Sequence, residues 1–180
     1  MQRQPNGSIR LLQTLIFLGL SLGLLTLALA GEDDAGLSPV EGTPEAPAFE
    51  LQGPDGVVYR LADWQGQPLI VNFWATWCPP CRAEMPAMQR AWEAIQSEGI
   101  GLIAINVGED PAAITAFVEQ VPVSFPLPMD ADSSVTQSWP LKGLPTTFVV
   151  GPDGRLIYQA AGEREWDDPA LLDRVRALKR

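Results

Sequence analysis

The chain has 180 residues, 46% of them hydrophobic, and a formal net charge of −10, which suits one domain with attachments. From position 31 onward ten basic residues face 22 acidic ones, so the chain lacks the clustered Lys and Arg that binding a phosphate backbone requires. There is no histidine, which excludes Ser-His-Asp and Cys-His nucleophile pairs and every imidazole metal ligand.

Arg3 and Arg10 open the chain, residues 11–30 run without a charge, and Glu32, Asp33 and Asp34 follow at once. Positive before and negative after leaves the N-terminus in the cytoplasm and carries the rest across a membrane. Ala28, Leu29 and Ala30 form an A-x-A site that a signal peptidase could cut before Gly31. Twenty apolar residues also span a bilayer and exceed the roughly 7–15 residues of a signal core, which favours a retained anchor. Either outcome delivers the domain to the extracytoplasmic side. The region holds no cysteine for a lipid anchor and no twin arginine.

Residues 31–46 are acidic, rich in Gly and Pro and without hydrophobic periodicity, so they read as a linker. The domain is expected from Pro47 to Arg180. Ala48–Leu51 and Val57–Leu61 read as strands joined by a turn at Gly53–Gly56. Leu69–Trp74 is a central strand covered on both faces. Cys78 to about Ser97 is a helix ended by Gly99, with Pro86 expected to kink it. Gly101–Val107 is a second buried strand. Asp110 and Pro111 open a helix to about Gln120. Residues 121–140 are broken by prolines, with a short helix around Asp132–Ser138. Thr146–Val150 and Arg155–Ala160 form a hairpin. Asp168 and Pro169 start a final amphipathic helix with Leu171, Leu172, Val175 and Leu178 on one face. This order gives an α/β fold, a mixed sheet with helices on both faces. Active residues belong where the first long strand turns into its helix.

That turn carries Trp77, Cys78, Pro79, Pro80 and Cys81, and these are the chain's two cysteines. A helix N-terminus offers unpaired amides and the positive end of the dipole, and both favour thiolate over thiol at Cys78. Cys81, one turn in, can close a disulfide with it. Pro79 and Pro80 occupy early helical positions, where a missing N–H is tolerated. Other readings are weaker. A bridge across two residues removes little chain entropy, so it is a poor staple. Structural zinc wants four Cys or His ligands. A two-thiolate Cu(I) carrier stays open. Arg82 after Cys81 excludes haem attachment by C-x-x-C-H. Glu84 follows Cys81 by three residues, hence on nearly the same helix face, where a carboxylate could take the proton of a buried thiol.

The stretch FWATWCPPCRAEMP at residues 73–86, followed by GLPTTFVVGPDGR at residues 143–155, resembles the membrane-tethered thioredoxin-like proteins of bacteria, the TlpA, ResA and CcmG type of extracytoplasmic disulfide reductases. The resemblance covers about residues 47–180. It implies a thioredoxin fold with an N-terminal β-hairpin and a central insert over about residues 107–140. It implies that Cys78 is the exposed nucleophile, Cys81 the buried resolving cysteine, and Pro145 a cis-proline facing the disulfide. The backbone of Leu144 would then pair with an extended substrate, with Trp77 and Thr146 also at the substrate surface. Glu84 matches an acidic residue near the active site. Ordinary thioredoxins carry a buried Asp six residues before the first cysteine. Here that position is Asn72, which leaves Glu84 as the nearest base. The implied activity is reduction of protein disulfides, with apocytochrome c as an implied substrate and a membrane thiol-disulfide relay as electron donor. No cofactor or metal and no nucleic acid enters this reading, and a monomer is expected. An oxidising, disulfide-forming protein uses the same two sulfurs, because direction follows from the potential and the docking partner. A peroxidase is disfavoured. Its P-x-x-x-T-x-x-C pattern would need Thr or Ser at Ala75 and Pro at Val71.

Overall fold

The computed structural model describes residues 36–179, and the apolar segment 11–30 lies outside them. Among the described residues no helix is long and apolar enough to cross a membrane. In chain order the strands are β1 (Ser38–Pro39), β2 (Glu50–Gln52), β3 (Val58–Arg60), β4 (Leu69–Trp74), β5 (Gly101–Val107), β6 (Met129–Asp130), β7 (Thr146–Val150) and β8 (Leu156–Ala161). The helices are α1 (Pro79–Ile95), α2 (Pro111–Gln120), α3 (Ser134–Ser138) and α4 (Pro169–Arg176), with 3-10 turns at Leu61–Trp64 and Gln96–Glu98.

Six strands form one sheet in the order β1-β8-β7-β4-β5-β6, and β2 and β3 form a separate hairpin. β4 runs parallel to β5 and β5 to β6, whereas β7 and β8 are antiparallel to their neighbours. Every residue of β4 is buried. Alternation along a strand sends successive side chains to opposite faces, so Ile70 and Trp74 join one core while Leu69, Val71 and Phe73 join the other. A strand buried on both faces reads as the continuous apolar run LIVNFW, and Asn72 is its polar exception.

The three longer helices share one face. Met85, Met88, Ala91 and Ile95 of α1 pack there with Ile114 and Phe117 of α2 and with Leu171, Leu172 and Val175 of α4. The opposite face is covered by Phe49 and Trp139, with Leu61, Trp64 and Val135 against them. Helices therefore lie on both sides, but the second side relies on short turns and loops. α1 runs from Pro79 to Ile95 with Pro86 inside it, and Gly99 ends the following turn at φ 73°, a conformation open to glycine at little cost.

Two features differ from the sequence reading. The segment expected as a linker up to Ala46 is partly built into the fold. Ser38 and Pro39 pair with Gln159 and Tyr158 of β8, Leu37 is 1% exposed, and Ala46 N–H bonds the Gly154 carbonyl. Composition hid this, because a two-residue edge strand needs one buried leucine and backbone bonds rather than a periodic pattern. The proline-broken stretch also contains β6, which extends the sheet beside Asn106 and Val107. Its Asp130 carboxylate accepts from the N–H groups of Val135 and Thr136 and from the Thr136 hydroxyl, fixing the start of α3 from the sheet.

A chain starting at Pro47 loses β1, buried Leu37 and the bond from Arg174 to the Leu37 carbonyl. Burial of one leucine contributes about 1.5–3 kcal/mol. Urea unfolding should therefore show a clearly lower midpoint for a start at Pro47 than for a start at Gly36. Equal midpoints would mean the N-terminal segment only lies against the fold.

Candidate active site

β4 ends at Trp74, and the next four residues carry the chain to the tip of α1. Cys78 is the N-cap of that helix, with φ −93° and ψ 105°, and Pro79 and Pro80 fill its first turn. An N-cap side chain normally offers an oxygen to the free amides of the first turn. Here the acceptor is sulfur: Cys81 N–H donates to Cys78 Sγ at 3.4 Å. That amide and the helix dipole both favour negative charge on Cys78 once the bond to Cys81 opens. The two cysteines are joined in a disulfide, with Cα atoms 5.3 Å apart. Cys78 keeps 4% of its surface and Cys81 none, so an incoming partner meets Cys78 first. Beside them Trp77 is 67% exposed, an apolar plate on the rim.

The loop before Cys78 is held by a residue the sequence reading missed. Glu109 accepts from Thr76 N–H and from Asn106 Nδ2, each at 2.7 Å, and from the Thr76 hydroxyl. Nothing in the run Gly108, Glu109, Asp110 singled it out, because the contact joins residues 33 positions apart.

The loop before β7 packs on the same core as the two cysteines. The Leu144–Pro145 peptide bond is cis, Leu144 packs against the cluster that includes Cys78 and Cys81, and Pro145 is buried. Thr146 Oγ1 donates to the Gly143 carbonyl at 2.7 Å, and Thr146 pairs with Phe73 across the sheet. The Pro145 carbonyl accepts from Gly162 N–H at 2.9 Å. The register thus brings the end of β4, the start of β7 and the end of β8 together beneath the CxxC turn.

Glu84 is 1% exposed. Its Oε1 accepts from Asn72 Nδ2 at 2.8 Å. Its Oε2 accepts from Trp166 Nε1 at 3.0 Å and from Arg164 N–H at 3.3 Å. Asn72 Nδ2 also donates to Thr147 Oγ1 at 2.8 Å. Burial pushes the Glu84 pKa up to about 7, against the opposing pull of the Trp166, Asn72 and Arg164 hydrogen bonds. A carboxyl group poised there is suited to exchange protons near neutrality. Asn72 is therefore not a lost acid alone but a donor to the acid that remains. Trp166 was not foreseen as part of this group, although a buried indole N–H generally finds a partner.

The AhpC/TSA family description matches residues 43–159. The chain belongs to that family. Within it, the chain is 34% identical over 128 residues to the thiol-disulfide oxidoreductase ResA of Bacillus subtilis, covering 71% of this chain and 72% of that one. It is 35% identical over 123 residues to ResA of Geobacillus kaustophilus, covering 68% and 71%. A Chlorobium tepidum structure assigned as thiol:disulfide interchange protein DsbE superposes with a TM-score of 0.70 at 30% identity, covering 77% of this chain and 97% of that one. The fold is the thioredoxin fold, and this AhpC/TSA member is a thiol-disulfide oxidoreductase of the ResA and DsbE type. Ala75 and Val71 stay fully buried and apolar, so the AhpC/TSA chain presents no hydroxyl three residues before Cys78.

Because the Glu84 value in the fold lies above its ordinary 4.5, the unfolded chain releases this proton first as pH rises. Glu84 supports the fold fully below about pH 4.5 and withdraws that support as pH climbs through about 7. The cost is about 3 kcal/mol at 1.36 kcal/mol per pKa unit. Urea unfolding of the wild type should lose about that much between pH 4.5 and pH 8 relative to Glu84→Gln. Parallel pH curves for the two proteins would contradict this placement of Glu84.

Proposed function

We propose that the protein reduces disulfides of other proteins on the extracytoplasmic side of a membrane, with Cys78 as nucleophile, Cys81 as resolving thiol and Glu84 as the proton acceptor for Cys81. The observation that carries this is a CxxC pair at the N-terminus of α1, the first sulfur capping the helix and the second fully buried, with a buried carboxyl three residues further along. Residues 1–30 serve as the targeting segment, either cleaved after Ala30 or retained as an anchor.

The Cys78 thiolate attacks one sulfur of the substrate disulfide. That S–S bond breaks, and the departing sulfur leaves as thiolate and takes a proton from water. A mixed disulfide now joins Cys78 to the substrate. Cys81 passes its proton to Glu84 and attacks Cys78 Sγ, breaking the mixed disulfide and releasing the second substrate sulfur as thiolate. Two electrons have moved from the protein to the substrate, and the protein stands in the disulfide form described above. A dithiol donor in the membrane reverses these steps to recharge it, because the compartment outside is oxidising. Trp77 and the segment Leu144, Pro145 and Thr146 form the surface on which an extended substrate chain lies. The resemblance to the TlpA, ResA and CcmG type implies apocytochrome c cysteines as the substrate class. Ala75, in place of the peroxidatic hydroxyl residue, argues against turnover of peroxides.

Cys78→Ser should lower insulin-reductase turnover to background. Cys81→Ser should keep the first attack and accumulate mixed disulfides with partner proteins in cells, visible as bands that dithiothreitol removes. A Cys81→Ser protein that folds and traps no partner would sink the exchange mechanism.

A further inference from the structure

Glu84 is the buried carboxyl of the site, yet the groups that hold it come from parts of the chain far from α1. Asn72 lies on β4 and Thr147, its other acceptor, on β7. Arg164 and Trp166 lie in the segment between β8 and α4. Trp166 is fully buried, and its indole N–H donates to Glu84 Oε2 at 3.0 Å. Oε2 thus receives two N–H donors, and Oε1 receives one.

We propose that Trp166 is a positioning residue of the exchange: its indole N–H, with the backbone N–H of Arg164, pins Oε2 of Glu84 as a permanent acceptor, so that Oε1 is the oxygen that takes up and releases the proton. An oxygen already accepting two N–H bonds has little room for a proton of its own. Asn72 completes the arrangement. Its Nδ2 serves Oε1 while the carboxylate is charged. Its Oδ1 has no hydrogen-bond partner among the described residues, and it accepts from protonated Oε1 when the amide turns over. The inference rests on the role proposed above for Glu84.

The electrostatic surroundings leave this task to neutral donors. β4 and β7 present uncharged Asn72 and Thr147. From the segment after β8, Glu163 acts on Glu84 with like charge. The Arg164 guanidinium is turned to the carbonyls of Gly36 and Glu163 at 3.3 and 2.7 Å, and only its backbone N–H reaches the carboxyl. On its own helix the nearest thiol is Cys81. The charged form of Glu84 is thus held by dipoles, and removing one donor weakens that form.

The test uses the full-length chain. In the wild type the rate of mixed-disulfide resolution should rise with pH through a midpoint near 7. Trp166→Phe keeps the ring but removes the N–H. It should keep the ionisation and move the midpoint up by about one pH unit, the loss expected for one hydrogen bond to a charged group. Resolution at pH 7 should then slow about 5-fold, with recovery at higher pH. A second measurement does not depend on how well that variant packs. In 15N-labelled wild type the Trp166 indole N–H resonance should titrate with the same midpoint as the Glu84 carboxyl carbon, and it should be flat in Glu84→Gln. A Trp166 resonance that stays flat while the Glu84 carbon titrates would overturn the positioning role and leave the proton-acceptor role standing. A rate profile unchanged in Glu84→Gln would overturn both.

Discussion

A carboxyl group buried in the core is the constraint around which the rest of this molecule is arranged. Ionising a carboxyl away from water is costly unless hydrogen bonds compensate. Glu84 meets that cost with three donors drawn from β4, from the backbone of Arg164 and from Trp166. Together they tie β4 and the segment after β8 to α1. Asn72 links the carboxyl to Thr147 at the start of β7, two residues after the cis Leu144–Pro145 bond. Gly162 N–H on the Pro145 carbonyl links that same loop to the segment bearing Trp166. One titratable group thus sits at the junction of the CxxC helix, the cis-proline loop and the end of β8. The compensation is incomplete, and the remaining imbalance keeps its pKa near neutrality.

The second element of the chemistry is a helix N-terminus with sulfur where an oxygen usually caps. The long apolar strand β4 and the buried face of α1 fix the direction of that helix, and Glu109 fastens the intervening loop through Thr76. These contacts hold Cys78 in place before any substrate arrives, as the proposed role of nucleophile in a preorganised site requires. The exposed indole of Trp77 stands apart from this packing and is free to meet a partner.

Much of this was legible in the chain. Strands β4, β5 and β7 and helix α2 have the bounds that apolar runs, the Asp110 N-cap and the Pro111 start indicated, because each is specified by local pattern. The CxxC turn was legible for the same reason: spacing and a strand-to-helix context lie within a dozen residues. Glu84 was visible as a carboxylate one turn from Cys81 and as a match to the acidic residue of the resembled family. Its burial and its donors were not, since Trp166 lies 82 positions away and no periodicity encodes such a contact. β1 and β6 escaped because two-residue strands carry no alternation. Leu37 in an acidic, Pro-rich stretch looked like linker, although its side chain belongs to the core.

The chain's surface charge and its N-terminal apolar run speak to where it works, whereas the two sulfurs speak to what it does. The direction of electron flow joins the two, and it is set by how much the fold favours the dithiol over the disulfide. The measurement that tests the account most directly is therefore the reduction potential of the Cys78–Cys81 couple in the full-length chain, equilibrated against dithiothreitol and glutathione buffers. The account requires a reducing value, near the approximately −270 mV of thioredoxin. A value near −120 mV, as in a strong disulfide donor, would contradict it and make the protein an oxidant of its partners.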